Sequence, residues 1–352
     1  MRVNPILARR SFLASLMGVL GSACLGTAKS RATGEARLPT AIQFSLDRPI
    51  TAAAAPLVMA AADGLYGSEA LAVTNDVASG SADAIKRIAA GSSDLALVDL
   101  SELIRFRGKS GAPEVKAIFV LFNQSPYAII ARKSRGIRAL SDMEGKTLGV
   151  AEGDLSIRLW PALARHNSIN VASVTQSNLS AAVREPMLSA GQVDAVSGFS
   201  YLSAVNLRDR GVPASDLQVL RYTDYGCEAY GFAVIVNPAF AAAKPDAVKG
   251  FLRALIAGTH LSIREPKRAA EQVAGQIEDG SAELELERLR TVIGDNILTG
   301  EVKRSGIGGI DPARLERSID QIAEDFKFEK RPTAADIFDD AFLPPLGGRL
   351  IN

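Results

Sequence analysis

Short polar runs, each standing where an apolar stretch gives way to a helical pattern, are the residues of this chain whose types and spacing suit chemistry. Ser45-Leu46-Asp47-Arg48 follows the first apolar run, Ser79-Gly80-Ser81-Ala82 opens a helical pattern, and Asp99 and Ser101 follow the run Asp94 to Val98. Glu152-Gly153-Asp154-Leu155-Ser156 and Gly198-Phe199-Ser200-Tyr201 repeat the arrangement. In open α/β sheets ligands sit outside the carboxyl ends of the strands, and a helix start presents free N–H groups and a positive dipole end. Ser, Asp and Gly at these places are first of all helix caps, a role compatible with touching a ligand. The candidate ligand contacts are Asp47, Arg48, Gly80, Ser81, Asp99, Gln124, Ser125, Asp154, Ser156, Phe199, Tyr201 and Glu228. Helix starts at Ser81 and Ser156, with a full charge from Arg48 or Arg158, favour an organic anion. Asp47, Asp99, Asp154 and Glu228 ask in turn for a donor group on it, because a buried unpaired acid is costly.

Constellations for catalysis fail one by one. Gly145-Lys146-Thr147 imitates the end of a phosphate-binding loop, but Leu140 stands where its first glycine is required. Gly306, Gly308 and Gly309 follow no strand at dinucleotide-binding spacing and read as a loop before a helix. His166 and His260 are far apart, without a Cys or carboxylate at metal-ligand spacing, so no metal is expected. No Gly-x-Ser-x-Gly elbow exists, and no cofactor or catalytic residue is assigned.

The elements that must position these loops alternate short apolar runs with helical patterns, the signature of βαβ units and a largely parallel sheet. Strands are expected at Ala41 to Phe44, Leu71 to Val73, Asp94 to Val98, Val115 to Leu121 and Tyr127 to Ala131, with helices at Ala54 to Asp63, Ala82 to Ala90 and Ser101 to Phe106. After a break at 133–136 a second series begins. It has strands at Thr147 to Ala151, Val174 to Gln176 and Val193 to Val196, and helices at Ser156 to His166 and Ala181 to Ala190. Beyond the run Tyr230 to Val236 the chain reads as helical. The expected fold class is α/β with two lobes: 38–130 with 231–345 as the first, 131–230 as the second, and two crossings, near Ala131 and near Tyr230, as a hinge.

Composition agrees with a folded protein of 352 residues, 47% hydrophobic and 22% charged. With 40 Lys and Arg against 39 Asp and Glu there is no field to recruit nucleic acid. Residues 1–32 read as an export signal: Arg9-Arg10 precede Phe12 and Leu13, and a glycine-relieved apolar stretch too short to span a bilayer follows. The order Arg-Arg-x-Phe-Leu resembles the twin-arginine signal. Its removal takes Cys24 and leaves Cys227 alone, a buried small hydrophobe by expectation in a reduced monomer.

Several segments, in order, resemble the ABC-importer periplasmic binding proteins for nitrate, sulfonates, taurine and thiamine-pyrimidine precursors. They are Pro56 to Tyr66, Ser79 to Ala84, Ala90 to Ala96, Leu140 to Val150 and Ser189 to Ala195, extended by Asn237 to Phe240. The resemblance implies the type II periplasmic-binding-protein architecture: two α/β lobes joined by a two-strand hinge, with the ligand in the inter-lobe cleft. It also implies a small-molecule ligand, membrane permease and ATPase partners, and a periplasmic location. The family's first loop carries an aromatic residue or Thr-Pro, where this chain has Ser45-Leu46-Asp47-Arg48, so the ligand's identity stays open. An enzyme on the same fold, pyrimidine-synthase-like or menaquinone-pathway-like, is the alternative. The cysteine-rich motif of the yeast-type synthase is missing.

Overall fold

The computed structural model describes residues 38–351, and the expected export signal lies outside them. Ten strands form two five-stranded sheets. The first contains β1 (Thr40–Leu46), β2 (Leu71–Val77), β3 (Leu95–Asp99), β4 (Lys116–Val120) and β10 (Phe232–Val236), ordered β2-β1-β3-β10-β4. The second contains β5 (Tyr127–Arg132), β6 (Thr147–Ala151), β7 (Thr175–Leu179), β8 (Ala195–Phe199) and β9 (Leu217–Arg221), ordered β7-β6-β8-β5-β9. Strands β3, β8 and β10 are buried along their whole length, as continuous apolar runs covered on both faces require.

Helices cover these sheets. α1 (Ala55–Ala62), α2 (Leu65–Ser68), α3 (Ser81–Ala90) and α4 (Leu100–Arg107) belong to the first, and α5 (Trp160–His166), α6 (Arg184–Ser189) and α7 (Ser200–Asp209) to the second. The C-terminal part adds α8 (Pro238–Ala243), α9 (Pro245–Arg264), α10 (Pro266–Ala274), α11 (Ala282–Thr291), α12 (Gly300–Ser305), α13 (Pro312–Ala323) and α14 (Ala334–Ile337). Proline opens α8, α9, α10 and α13, where its missing N–H costs nothing. The return of this segment to the first sheet is visible in the stacking of Phe251 from α9 on Phe44 and on Tyr66, ring centroids 5.3 Å apart in both cases.

One expected assignment is corrected. Tyr127 to Ala131 does not close the first series: β5 pairs antiparallel with both β8 and β9 in the second sheet. The reason is directional. Strands β1, β2 and β3 run parallel, and β4 runs with them, since both β3 and β4 lie antiparallel to β10. The chain therefore leaves the first sheet at the end of β4 and enters the second at the start of β5, so the first crossing is 121–126 rather than near Ala131. The second crossing, 222–231, leads into β10. Each sheet thus has one antiparallel strand directly after a crossing, β5 in the second and β10 in the first.

Three further differences are local. The helix expected over 156–166 splits into a 3₁₀ turn, Ser156–Leu159, and α5, because Pro161 can occupy only a first turn. Neither α7 nor β9 was expected from the pattern. In the C-terminal part, expected to be helical, α11 continues as a π-helical turn, Val292–Ile297.

Both crossings are tied to α13. The Arg314 guanidinium donates to the carbonyls of Glu228 (3.0 Å) and Ala229 (3.3 Å) in the second, and to Asn123 Oδ1 (3.2 Å) in the first. Cys227 is buried beside this anchor, and burial pushes its thiol up to about 11. Alkylation by iodoacetamide at pH 8 is therefore expected to be at least about a hundredfold slower than for a free thiol, which ionises near 8.5. Intact mass over time checks this, and rapid labelling of the native protein would show the thiol to be open.

Candidate functional site

The carboxyl ends of the two sheets face a common cavity of about 230 Å³. From the first sheet it is lined by Arg48, Gly80 and Ser81, and from the second by 151–155, Ala181, Arg184, Gly198, Phe199 and Leu202. Outside this lining, ion pairs join the second sheet's part of the chain to the rest: Arg158 bonds Glu102 of α4 at 2.7 Å, Arg165 bonds Asp325 at 2.9 Å, and Arg221 bonds Asp295 at 2.7 Å.

On the first side, β1 ends and the chain turns through Asp47 and Arg48. The Arg48 guanidinium meets the Asp47 carboxylate with two hydrogen bonds, 2.9 and 2.6 Å, and lies over the rings of Phe199 (4.7 Å) and Phe232 (4.6 Å). Burial works against its charge, but the Asp47 carboxylate more than compensates and holds the guanidinium above its ordinary value. Ser81 Oγ donates to Asp47 at 2.6 Å and accepts from the Asp99 N–H at 3.1 Å. Gly80 sits at φ 95°, which lets the chain fold sharply into α3. The first-turn N–H groups of Ser81 and Ala82 have no acceptor within that helix.

Asp99 lies one layer deeper, fully buried. It caps α4 by accepting from the Ser101 N–H at 2.8 Å, and it receives the Tyr127 hydroxyl at 2.5 Å, an element of the second sheet. Burial pushes its carboxyl up to about 7, partly offset by the Tyr127 hydrogen bond and by Arg48. Burial and the Asp99 carboxylate together hold the Tyr127 phenol well above its usual range.

On the second side Asp154 is held by four donors. Ser156 supplies its N–H (2.9 Å) and its hydroxyl (2.7 Å), Ser197 its hydroxyl (2.6 Å), and Arg184 a guanidinium N–H (3.4 Å). Arg184 is bound more closely to Glu185 at 2.7 Å and to Ser203 Oγ at 3.1 Å. Glu152, an exposed residue, also lines the cavity.

Of the twelve sequence candidates, Arg48, Gly80, Ser81, Asp154 and Phe199 line the cavity. Asp47 and Ser156 stand directly behind and orient residues that do. Ser156 does not offer a free helix-start N–H, because Asp154 accepts it. Tyr201 is buried beneath Phe199, their rings stacked 6.0 Å apart. Gln124 and Ser125 belong to the first crossing: the Gln124 N–H donates to the Asn296 carbonyl, its carbonyl accepts from the Asn296 side-chain amide, and the Ser125 N–H donates to the Ala229 carbonyl. Glu228 faces the other way, toward Arg317 on α13 at 3.1 Å. Arg158 points to Glu102, away from the cavity. Sequence reasoning missed Arg184 and Leu202. Both follow strand ends in the second sheet, and that position was the available signal. No group of three or more His, Cys, Asp or Glu residues among the described residues is arranged to hold a metal.

The sequence pattern described as "NMT1/THI5 like" matches residues 51–269, more than half of the chain. The chain belongs to the NMT1/THI5-like family. Among curated relatives it is 24% identical, over 61% of its length and 67% of theirs, to a 4-amino-5-hydroxymethyl-2-methylpyrimidine phosphate synthase of Legionella pneumophila. It is 27% identical to the riboflavin-binding protein RibY of Chloroflexus aurantiacus, spanning 60% of that protein and 61% of its own length. The periplasmic aliphatic sulphonate binding protein SsuA of Escherichia coli superposes with a TM-score of 0.70 at 14% identity, covering 87% of this chain and 94% of that one. The fold is therefore the periplasmic-binding-protein fold, and within this NMT1/THI5-like chain the cavity lies between its two lobes. The relatives named here are a synthase and two binding proteins, so the site has to carry the functional reading.

Proposed function

We propose that this chain is the substrate-binding component of an ABC importer, exported to the periplasm, that captures a small polar organic molecule and delivers it to a membrane permease served by an ATPase. The observation that carries this reading is the cavity itself, enclosed by the strand ends of two lobes that only two short crossings connect. Such a layout allows the lobes to close over a guest by bending at the crossings. The side chains around it support binding over turnover: Asp47, Arg48, Asp154, Ser156, Arg184 and Glu185 are all engaged in fixed hydrogen bonds, and none forms a nucleophile paired with a base. Arg9 and Arg10, in their twin-arginine-like context, support export of the folded protein.

The purified protein is expected to retain one small molecule from a bacterial metabolite extract, in a one-to-one ratio and with its mass unchanged. Native mass spectrometry followed by release and identification checks this. Release of a chemically altered product would favour the enzymes among its relatives, and retention of nothing would remove the binding reading.

A further inference from the structure

We propose that the lobes are clasped together by arginines of the second lobe gripping acids of the first, so that the cleft opens as ionic strength rises. This rests on the reading of the cleft as a site that opens and closes, and it specifies what regulates access to it. Four arginines of the second lobe reach across the boundary. Arg158, in the 3₁₀ turn before α5, meets Glu102 of α4 at 2.7 Å, and Arg165 near the end of α5 meets Glu324 (3.2 Å) and Asp325 (2.9 Å) just beyond α13. Arg208 on α7 pairs with Glu287 on α11, and Arg221 at the end of β9 meets Asp295 in the π-helical turn at 2.7 Å. In each case the cation comes from the second lobe and the anion from the first. Glu228, which pairs with Arg314 and Arg317, belongs to the crossing itself. Charge totals have the same polarity: residues 131–230 hold 11 Lys and Arg against 10 Asp and Glu, whereas 38–130 with 231–352 hold 23 against 28.

None of these pairs lines the cavity, so their part is in holding the lobes and not the guest. Their arginines are 36 to 47% exposed, which leaves every pair open to screening by salt. A single exposed pair contributes little. Four of one polarity, placed against α4, α11 and the end of α13, act in the same direction, and the balance between open and closed lobes is fine enough for weak pairs acting together to move it. The inner contacts across the boundary are of another kind. Tyr127 donates to the fully buried Asp99 at 2.5 Å, and the Arg48 guanidinium lies 4.7 Å from the centre of the Phe199 ring. Closure resting on those contacts alone would be indifferent to salt, so the salt response separates the two causes. Any guest that requires closed lobes then binds more weakly as salt rises, because the competent state is less populated.

Small-angle X-ray scattering of the purified protein at about 0.01 M and about 1 M sodium chloride reads this, since the Debye length falls from about 30 Å to about 3 Å between them. The radius of gyration is expected to rise with salt. Arg208→Glu turns one attraction into a repulsion between two partly exposed side chains and is expected to raise the radius already at low salt; adding Glu287→Arg to that variant should restore the wild-type value. A wild-type radius that stays constant or falls with salt overturns the proposal. So does an Arg208→Glu variant that matches the wild type at low salt, or one that the second substitution fails to restore. No guest is needed, which keeps these outcomes apart from those of the extract experiment. A protein that retains a compound but has a salt-independent radius loses the clasp and keeps the importer reading, and a salt-dependent radius with nothing retained does the reverse.

Discussion

Replacing Gly258 with alanine is expected to destabilise the protein by about 2 kcal/mol, even though removing a glycine from the middle of a helix by itself gains up to about 1 kcal/mol. Gly258 lies in α9 where that helix crosses α1. A Cβ there would stand 2.2 Å from the carbonyl oxygen of Pro56 and 3.0 Å from both the backbone N and the Cβ of Ala60. None of these atoms is the end of a flexible side chain. The clash can be relieved only by moving the two helices apart, and that would disturb the fully buried packing of Leu255 and Ala60 alongside. The packing loss therefore exceeds the propensity gain, and leucine at the same position should cost more. Gly67 in α2 is the control: its Cβ would meet nothing within 4 Å, so Gly67→Ala should be neutral or slightly stabilising. Urea unfolding of the three variants decides it. A higher midpoint for Gly258→Ala would mean that α1 and α9 do not approach so closely.

Local pattern was enough to find most strands and helices, because β3 and β10 are continuous apolar runs and α9 and α13 open with proline after a capping or turn residue. What it could not supply was membership. Tyr127–Arg132 reads as a strand in either lobe, and only its antiparallel pairing with β8 and β9 assigns it to the second sheet. α7 was missed because its apolar and polar residues show little helical periodicity, being packed between β5, β8 and α11 rather than on one face. In the site, position after a strand was legible and orientation was not. Asp154 and Glu228 are similar as sequence, an acid beside small or aromatic residues. One faces the cavity under four donors, and the other is drawn to Arg317 on a helix nearly ninety residues away. Arg184 was invisible for the same reason, since its partners Asp154 and Ser203 come from separate elements.

Asp99 should make the stability of the protein fall between about pH 4 and pH 7, by an amount on the order of 4 kcal/mol. In the folded state its carboxyl is fully buried and titrates at about 7, whereas in the unfolded chain it titrates near the ordinary value of about 3.9. Below pH 4 both states hold the proton and the contribution is fully present. As pH rises, the unfolded chain releases the proton while the folded protein keeps it, so folding becomes progressively less favourable. Once pH passes 7 both are ionised and the contribution has been lost. Asp99→Asn removes the titration but keeps an oxygen to accept from the Ser101 N–H, and its amide can donate to the Tyr127 oxygen in place of the bond now running the other way. The variant should therefore match or fall below the wild type at pH 4.5 and exceed it at pH 8. Comparing urea midpoints of the two proteins at pH 4.5, 6 and 8 cancels every other titrating group they share. Tyr127→Phe gives an independent check, because losing the hydroxyl that stabilises the carboxylate should extend the upper end of the window to higher pH while its lower end, set by the unfolded chain, stays in place. A difference between wild type and Asp99→Asn that stays flat across the range would show that Asp99 ionises normally in the folded protein.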